Sequence, residues 1–481
     1  MSSNKLEFEE FIASEGPCST GGMVGGREPG RRTVKRYGSW VAAGAALAAL
    51  MVNPFMARAA DERDAEKAKQ ETAAEKPKEA KPPEKTSEEK PAEKAKDPEV
   101  KVLAGPDGFV IQSGNPDFRI RIGGYAQADG RFYAQDEDGV ATNNFLMRRA
   151  RPILQGTVAK YFDFYLAPDF GQGQTVLFDA YVNVRPSSKL QFRIGKFKPP
   201  VGLERLQSAQ SILFVERALP TALVPNRDVG AQVHGELGSG VVNYAVGVFD
   251  GAVDGALIDT DGNDGKDVAG RLFLQPFARR GSSALKGLGL GFSATNGKQL
   301  GTLPSLRSGG QVVFFSYLTT ATADGTRTRI SPQGSFYLGP VGVLGEWVRS
   351  RQNVRKGTDS AQVASEAWEV SASVVLTGET ATASGVRPRR SFDPAKRTWG
   401  ALELAARVNQ LRVDGTAFSR GLADPTKSAR EARAWAIGLN WYLSRNFKYV
   451  VNYEHTTFTG GAVGGDRRPE NAILVRSQVA F

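Results

Sequence analysis

From about residue 105 to the C-terminal Phe481, apolar residues recur at every second position, a period that fits strands and not helices. FRIRIGGYAQADGRFY (118–133) places Phe118, Ile120 and Ile122 on one side and Arg119 and Arg121 on the other. NAILVRSQVAF places Ile473, Val475, Val479 and Phe481 on one face, and Ala472, Leu474, Arg476, Gln478 and Ala480 on the other. Similar runs lie at 145–158, 161–168, 174–184, 190–198, 228–237, 241–250, 266–277, 287–296, 311–320, 327–338, 341–350, 366–378, 398–411, 432–443 and 447–459. Clusters of Gly, Asn, Asp, Ser and Pro punctuate them. These are seventeen runs, and Phe109–Ser113 is a candidate eighteenth. A membrane barrel with both termini on one side needs an even number, so either one run is not a wall strand or 109–113 is.

Composition narrows the choice. Apolar residues make up 41% of the 481, mean hydropathy is −0.32, and nothing approaches the run of roughly 20 apolar residues that a spanning helix needs. A membrane β-barrel remains open, because only alternate residues face lipid. The competing architecture is a β-sandwich, but that would need strands with a continuous core face. The one cysteine, Cys18, lies in a segment expected to be removed, so no disulfide or thiolate metal site is expected.

The N-terminus reads as an export signal. Arg31, Arg32, Lys35 and Arg36 precede a short apolar segment from Trp40 to Met51, and Ala57-Arg58-Ala59 is a small-x-small cleavage site. Residues 1–59 are therefore assigned to a signal peptide, with Met23 as a candidate true start. Residues 60–104 are rich in Lys, Glu, Pro and Ala and hold no apolar repeat, which predicts a disordered periplasmic linker, either a plain spacer or a tether that contacts the cell wall. Residues 105–481 are the predicted barrel. Residues 101–481 carry 45 basic and 33 acidic side chains, a net of +12, so the positive excess belongs to the barrel region. Its spread along alternating strand positions suits an interior surface better than a nucleic-acid patch.

Enzyme chemistry is not encoded in any recognisable form. The two histidines, His234 and His455, are far apart, and no nucleophile elbow, zinc-protease or Walker motif is present. Asp259-Thr-Asp261-Gly-Asn263-Asp264 fails the EF-hand test, with Asp264 at the sixth position and Gly270 at the twelfth. No cofactor or metal is expected.

What remains is a row of arginines opposite the apolar faces: Arg119 and Arg121, Arg149 and Arg151, Arg193, Arg271, Arg327 and Arg329, Arg407, and Arg476. Arg on a barrel's lipid face costs about 2–4 kcal/mol at the midplane, so these side chains are placed in the lumen. There they either bind anions, for which a planar donor fork suits phosphate oxygens, or pair with lumen acids such as Asp129, Asp179 and Glu403. Between the Pro199-Pro200 stop and the strand at Asp228 lies a stretch too long for a turn and too apolar for a solvated loop. It is expected to fold into the lumen.

Three stretches carry a family resemblance: GKFKPPVGLERLQS, LFVERALP, and the Arg227-Asp228-Val229-Gly230 step, with Asp267-Val-Ala-Gly270-Arg271 further on. Together they resemble the phosphate-selective porin O/P family of outer-membrane channels over roughly 105–481. The resemblance implies an all-β, sixteen-stranded transmembrane antiparallel barrel with an inward third loop, assembled as a homotrimer in the bacterial outer membrane. Arg148-Arg149 matches the family's basic pair on the second strand. Tyr125 stands where the first strand's Arg is expected, and Gln210 where the inward loop has a Lys. The expected anion-binding lumen comprises Arg119, Arg121, Arg148, Arg149, Arg151, Arg193, Lys196, Lys198, Arg205, Arg217, Arg271, Arg327 and Arg329. The expected function is passive diffusion of small anions, phosphate favoured. The alternatives are a general or organic-acid porin and a structural wall-anchoring barrel.

Overall fold

The computed structural model describes residues 100–115, 117–134, 141–257, 259, 262–279 and 284–481. Residues 1–59, expected as a signal peptide, and nearly all of the expected linker lie outside the described residues. Sixteen strands form the wall: β1 (Arg119–Ala134), β2 (Asn144–Val158), β3 (Phe162–Asp169), β4 (Val176–Ser187), β5 (Leu190–Phe197), β6 (Asp228–Leu237), β7 (Val242–Phe249), β8 (Asp267–Leu274), β9 (Leu288–Gly301), β10 (Ala321–Leu338), β11 (Val341–Lys356), β12 (Asp359–Val375), β13 (Ala401–Val413), β14 (Ala429–Tyr442), β15 (Phe447–Ala462) and β16 (Glu470–Ala480). Each pairs antiparallel with the next, and β16 closes the ring on β1 from Asn471↔Ala134 to Ala480↔Tyr125. The seam ends at Phe481, which exchanges two backbone hydrogen bonds with Gly124 at 2.9 and 3.0 Å. Closure leaves no long unpaired edge, the condition for a sheet to sit in lipid.

The extra run is 311–320. Only Val313–Phe315 is extended there, paired with Leu306–Arg307 inside the β9–β10 connection. Its apolar residues fill the barrel instead of facing out, with Phe314 and Phe315 both buried. Residues 109–113 do not make an eighteenth wall strand. Lys101–Gly105 and Gly108–Gln112 form a hairpin whose second arm pairs with Arg119–Ile122 at the foot of β1.

Alternation fixes which side chains face out. On β13–β16 the exposed positions are Leu404 and Val408, Trp435, Ile437 and Leu439, Tyr449 and Val451, and Ile473 and Val479. Their inward neighbours include Glu403, Arg407, Asn409, Asn440, Lys448, Asn452, Glu454, Arg476 and Gln478, all buried. Apolar out and polar in is the pattern of a barrel with lipid outside and water within.

The connection 198–227 runs inside the barrel. Leu203 and Glu204 donate backbone N–H groups to Glu346 of β11 at 2.7 and 3.2 Å. Leu219 donates to Asn409 of β13 and Val215 to Asn452 of β15, while Asn440 and Gln127 donate to the carbonyls of Leu213 and Ala209. These bonds satisfy loop backbone groups that burial would otherwise leave unpaired. Two other far-end connections, 302–320 and 414–428, join this loop. Val201, Leu219, Leu223 and Val224 pack with Leu306, Phe314, Phe315 and Leu422 against inward Val348, Val363, Leu411 and Phe458. Burying each large side chain is worth about 1.5–3 kcal/mol. The far half of the lumen over β10–β15 is therefore a packed, largely dry core, and the large open space lies on the opposite side.

Candidate functional site: a basic cavity beside the inward loop

That space is a cavity of about 1260 Å³ bounded by β1–β8, the inward loop, and the tips of 250–266 and 302–320. Its basic lining comprises Arg148, Arg149, Arg151, Arg193, Lys198, Arg205, Arg217, Arg227, Arg271 and Arg307. The thirteen cations expected at this site fall into four groups.

Arg148 and Arg149 share one carboxylate. The β1–β2 register runs Gln127↔Arg149 and then Ala128↔Met147, so Arg148 is the extra residue of a β-bulge. A bulge breaks the alternation and lets two successive side chains reach the same side. Both reach Glu216 of the inward loop, Arg148 at 2.6 Å and Arg149 at 3.8 Å, and Arg131 joins them at 3.2 Å. Burial pushes the Glu216 carboxyl up, but Arg148 and Arg149 more than offset this and hold it well below the usual carboxylate range.

Arg151 is neutralised by Asp169 at 2.6 Å, lies 3.4 Å from the centre of the Phe178 ring and donates to the Tyr125 hydroxyl at 2.7 Å. Arg227 is held in the same way by Asp179 at 2.8 Å, with its guanidinium 4.0 Å from Phe178.

Arg193, Lys198, Arg205, Arg217 and Arg271 have no carboxylate within ion-pair distance among the described residues. Arg193 stacks on Tyr181 at 4.3 Å and its Nε has no partner. Lys198 donates to the Leu206 and Gln207 carbonyls at 3.1 and 2.7 Å, and Arg217 to those of Glu204 and Gln207 at 3.2 and 2.7 Å. Arg205 donates to Asn226 at 3.1 Å and to the Thr221 carbonyl, and Arg271 to Gln333 at 3.0 Å. Neutral acceptors orient these cations and leave their charge uncompensated.

The remaining five do not line the cavity. Arg119 is exposed at the foot of β1, and Arg121 donates to the Asp107 carbonyl of the hairpin at 2.6 Å. Lys196 is paired with Asp259. Arg327 and Arg329 bind Asp267, both at 2.9 Å, and Asp254, while also donating to the Ala252 carbonyl. Arg329 is fully buried and ties the 250–266 loop to the wall.

The acids decide the balance, and sequence reasoning missed two of the important ones, Glu216 and Asp254. Glu216 did carry a signal. In ILFVERALP it sits among residues that the structure buries, and a carboxylate there requires cations. Of the three acids expected to pair with arginines, Asp129 binds Arg476 at 2.7 Å and Asp179 binds Arg227. Glu403 instead accepts from the Tyr442 hydroxyl at 2.8 Å. Among the lining carboxylates described, Asp169, Asp179, Glu216 and Asp254 are all ion-paired, which leaves the exposed Glu236 as the counterweight to these five cations and to exposed Arg307, which donates to the Gln311 carbonyl at 2.9 Å.

Among the described residues no cluster of three metal-ligating side chains occurs, and no helix is long and apolar enough to cross a membrane.

Known proteins agree with this architecture. Porin O of Pseudomonas aeruginosa is 24% identical over 386 residues, covering 73% of this chain and 86% of that protein. The outer membrane channel DcaP of Acinetobacter baumannii superposes with a TM-score of 0.51 at 10% identity, covering 79% of this chain and 100% of that one. The outer membrane protein OmpT of Vibrio cholerae gives a TM-score of 0.50 at 9% identity, covering 76% and 98%. Residues 120–481 match the family described as phosphate-selective porin O and P. With a closed sixteen-stranded wall, an apolar exterior and a charged lumen, the chain is an outer-membrane channel and not an enzyme, and it belongs to the phosphate-selective porin O and P family.

Proposed function

We propose that this porin passes small anions by diffusion, with phosphate favoured among them. The observation that carries the proposal is the set Arg193, Lys198, Arg205, Arg217 and Arg271, which line one cavity with no carboxylate in ion-pair range. In a narrow lumen with low-dielectric walls their field is poorly screened, so it concentrates anions and repels cations. Their partners are backbone carbonyls, side-chain amides and aromatic rings, so an entering oxyanion meets oriented donors without first breaking an ion pair. Five separate donors let an anion exchange partners stepwise, and a site that binds without trapping is the condition for throughput. The Glu216 clamp holds the inward loop and leaves a net positive charge beside it, since three guanidiniums share one carboxylate.

A second reading, an organic-acid porin, is favoured by one observation. Aromatic rings line the same wall, with Tyr165 and Tyr181 stacked at 5.2 Å and Arg193 beside Tyr181. An organic anion would use both the rings and the cation, whereas phosphate would use the cation alone. Planar-bilayer recording separates the readings. In a chloride gradient the reversal potential should report anion preference, and added phosphate should block chloride current at lower concentration than added benzoate or sulfate. Equal block by all three would leave a general anion porin, and a reversal potential near zero would overturn the proposal. A homotrimeric assembly in the bilayer is proposed with it, tested by cross-linking before solubilisation. Residues 1–59 are proposed as a cleaved leader, and contact of 60–104 with the cell wall is a further proposal, testable by co-sedimentation with peptidoglycan.

A further inference from the structure

Six of the seven wall connections at the end that carries Phe481 are short or modest, but 376–400 is about 25 residues long. Its first part tucks under the barrel mouth, with Ala381 and Val386 packed against inward Val375, Ala401 and Tyr442. Its second part crosses to the outside. Phe392 donates its backbone N–H to the Leu443 carbonyl at 2.6 Å, and its ring meets Trp399 at 5.8 Å and Trp441 at 5.6 Å. Trp441 donates its indole N–H to the Trp399 carbonyl at 2.6 Å and lies 6.2 Å from Tyr449. Trp441 and Tyr449 sit on the outward face that continues through Leu439 and Ile437, so this aromatic group stands where the lipid-facing band ends. Trp399 is 64% exposed although it carries a large apolar ring.

A basic turn is built onto these rings. Asp393 and Thr398 exchange backbone hydrogen bonds at 3.0 and 3.1 Å, and the Thr398 hydroxyl donates to the Ser391 carbonyl at 2.6 Å. Arg390, Lys396 and Arg397 are all exposed on this turn, and Asp393, its one acid, is taken by Lys396 at 2.7 Å. Arg397 holds φ at +52°, a conformation that Gly or Asn would adopt at less cost. A charged residue in a sparsely populated conformation at an exposed tip, beside an exposed tryptophan, is an outlier that a ligand would account for.

We propose that residues 390–399, with Trp441 and Tyr449, form a binding site for an anionic phospholipid at the bilayer edge. The rings lie at headgroup depth against the glycerol and upper acyl region, and Arg390, Lys396 and Arg397 meet the phosphate and a second headgroup charge. A zwitterionic headgroup offers the same phosphate but adds a cation that these side chains repel, which makes the site selective for net negative lipid. The inference is independent of what permeates the lumen and rests only on the chain's being a membrane barrel.

The test is native mass spectrometry of the full chain, purified in detergent, with phosphatidylglycerol and phosphatidylcholine of matched acyl chains added in equal amounts. The parent should retain phosphatidylglycerol about tenfold over phosphatidylcholine, the preference that a few basic residues beside a charged headgroup give after screening. Arg390→Gln/Lys396→Gln/Arg397→Gln should abolish that preference, and Trp399→Ala should lower retention of both lipids. If the triple variant fails to give a heat-modifiable barrel, Arg397→Gly serves in its place. It removes one charge, relieves the backbone strain, and should weaken the preference about threefold. Equal retention of the two lipids by the parent would overturn the proposal, as would an unchanged preference in the charge variants. Loss of the preference on adding inorganic phosphate alone would also overturn it, by showing that the turn reads a free oxyanion.

Discussion

Glu216 is the side chain whose replacement most directly tests the electrostatic reading of the lumen. It is the one acid among Arg131, Arg148 and Arg149, so Glu216→Gln raises the local charge by one unit while nearly preserving shape and keeping an acceptor for Arg148. The loop should stay in place, since its anchors at Glu346, Asn409, Asn452 and Gln127 do not involve Glu216. One added unit charge about 8 Å from a passing ion, at an effective dielectric of about 40, shifts that ion's energy by about 1 kcal/mol. Screening trims this only partly, because the separation is comparable to the Debye length. The ratio of anion to cation permeability should therefore rise about threefold to fivefold, read as a larger reversal potential in a salt gradient across a planar bilayer.

Acidification should not mimic that substitution. The Glu216 carboxyl is held below its ordinary range, so it stays charged in mildly acidic buffer. A depressed folded pKa means that the clamp's stabilisation is present above the unfolded value and is lost only as pH falls through the lower folded one. Selectivity measured at pH 7 and pH 5 should then agree in the parent, as far as this group is concerned, and differ from that of Glu216→Gln. A substituted channel with normal conductance and an unchanged reversal potential would refute the reasoning, because permeating ions would then not sense the Arg131–Arg148–Arg149 group.

Charge reversal at the free cations, Arg193→Glu with Arg271→Glu, should abolish or invert anion preference in the same assay, since neither has a carboxylate to release. Arg329→Gln should leave that preference largely intact but cost about 1–3 kcal/mol, seen as a lower temperature of heat modification, because it leaves buried Asp254 and Asp267 to Arg327 alone. Gly309→Ala should displace the 302–320 loop, since a Cβ there would lie 1.6 Å from Oε1 of Glu454, a buried carboxylate whose other oxygen is held by Arg407 at 2.7 Å. Larger single-channel conductance and faster proteolysis within 302–320 are the expected signs. Deleting residues 66–98 should leave barrel assembly and conductance nearly unchanged, because that stretch holds no apolar set able to offset the entropy of ordering.

Most of the wall was legible because alternation is a local property. NAILVRSQVAF alone determined that Ile473, Val475 and Val479 would face lipid and that Arg476 would face in, and both hold. Alternation reports only that a residue has one apolar side, however, and not which apolar surroundings that side meets. The run at 311–320 shows the limit. Phe314 and Phe315 carry strand-like composition because they pack inside the barrel against the inward loop and β10–β15, a contact between segments about 100 residues apart. The same blindness hid the dry half of the lumen. Val348, Val363 and Leu411 sit at inward positions that a water-filled pore would make polar, and they are apolar because three loops fold down onto them.

The arginines show the same limit in the functional site. Period two put Arg149, Arg151 and Arg193 on the inward face, and all three line the cavity, but their surroundings were set by which acid reached them, and acids reach them from other segments. Arg151 meets Asp169 on the next strand, whereas Arg149 meets Glu216 from a loop 67 positions away in sequence. Arg193 meets no carboxylate, because Gln191, Gln232 and His234 occupy the wall around it. A ladder of identical side chains read from sequence thus resolves into clamps that hold loops and free cations that face the open space. The dry half of the barrel makes that division consequential. If anions pass as proposed, the loops, by filling one side, leave them the wall where the uncompensated cations stand, so the packing of Phe214, Phe314 and Leu411 would bear on selectivity along with the charges.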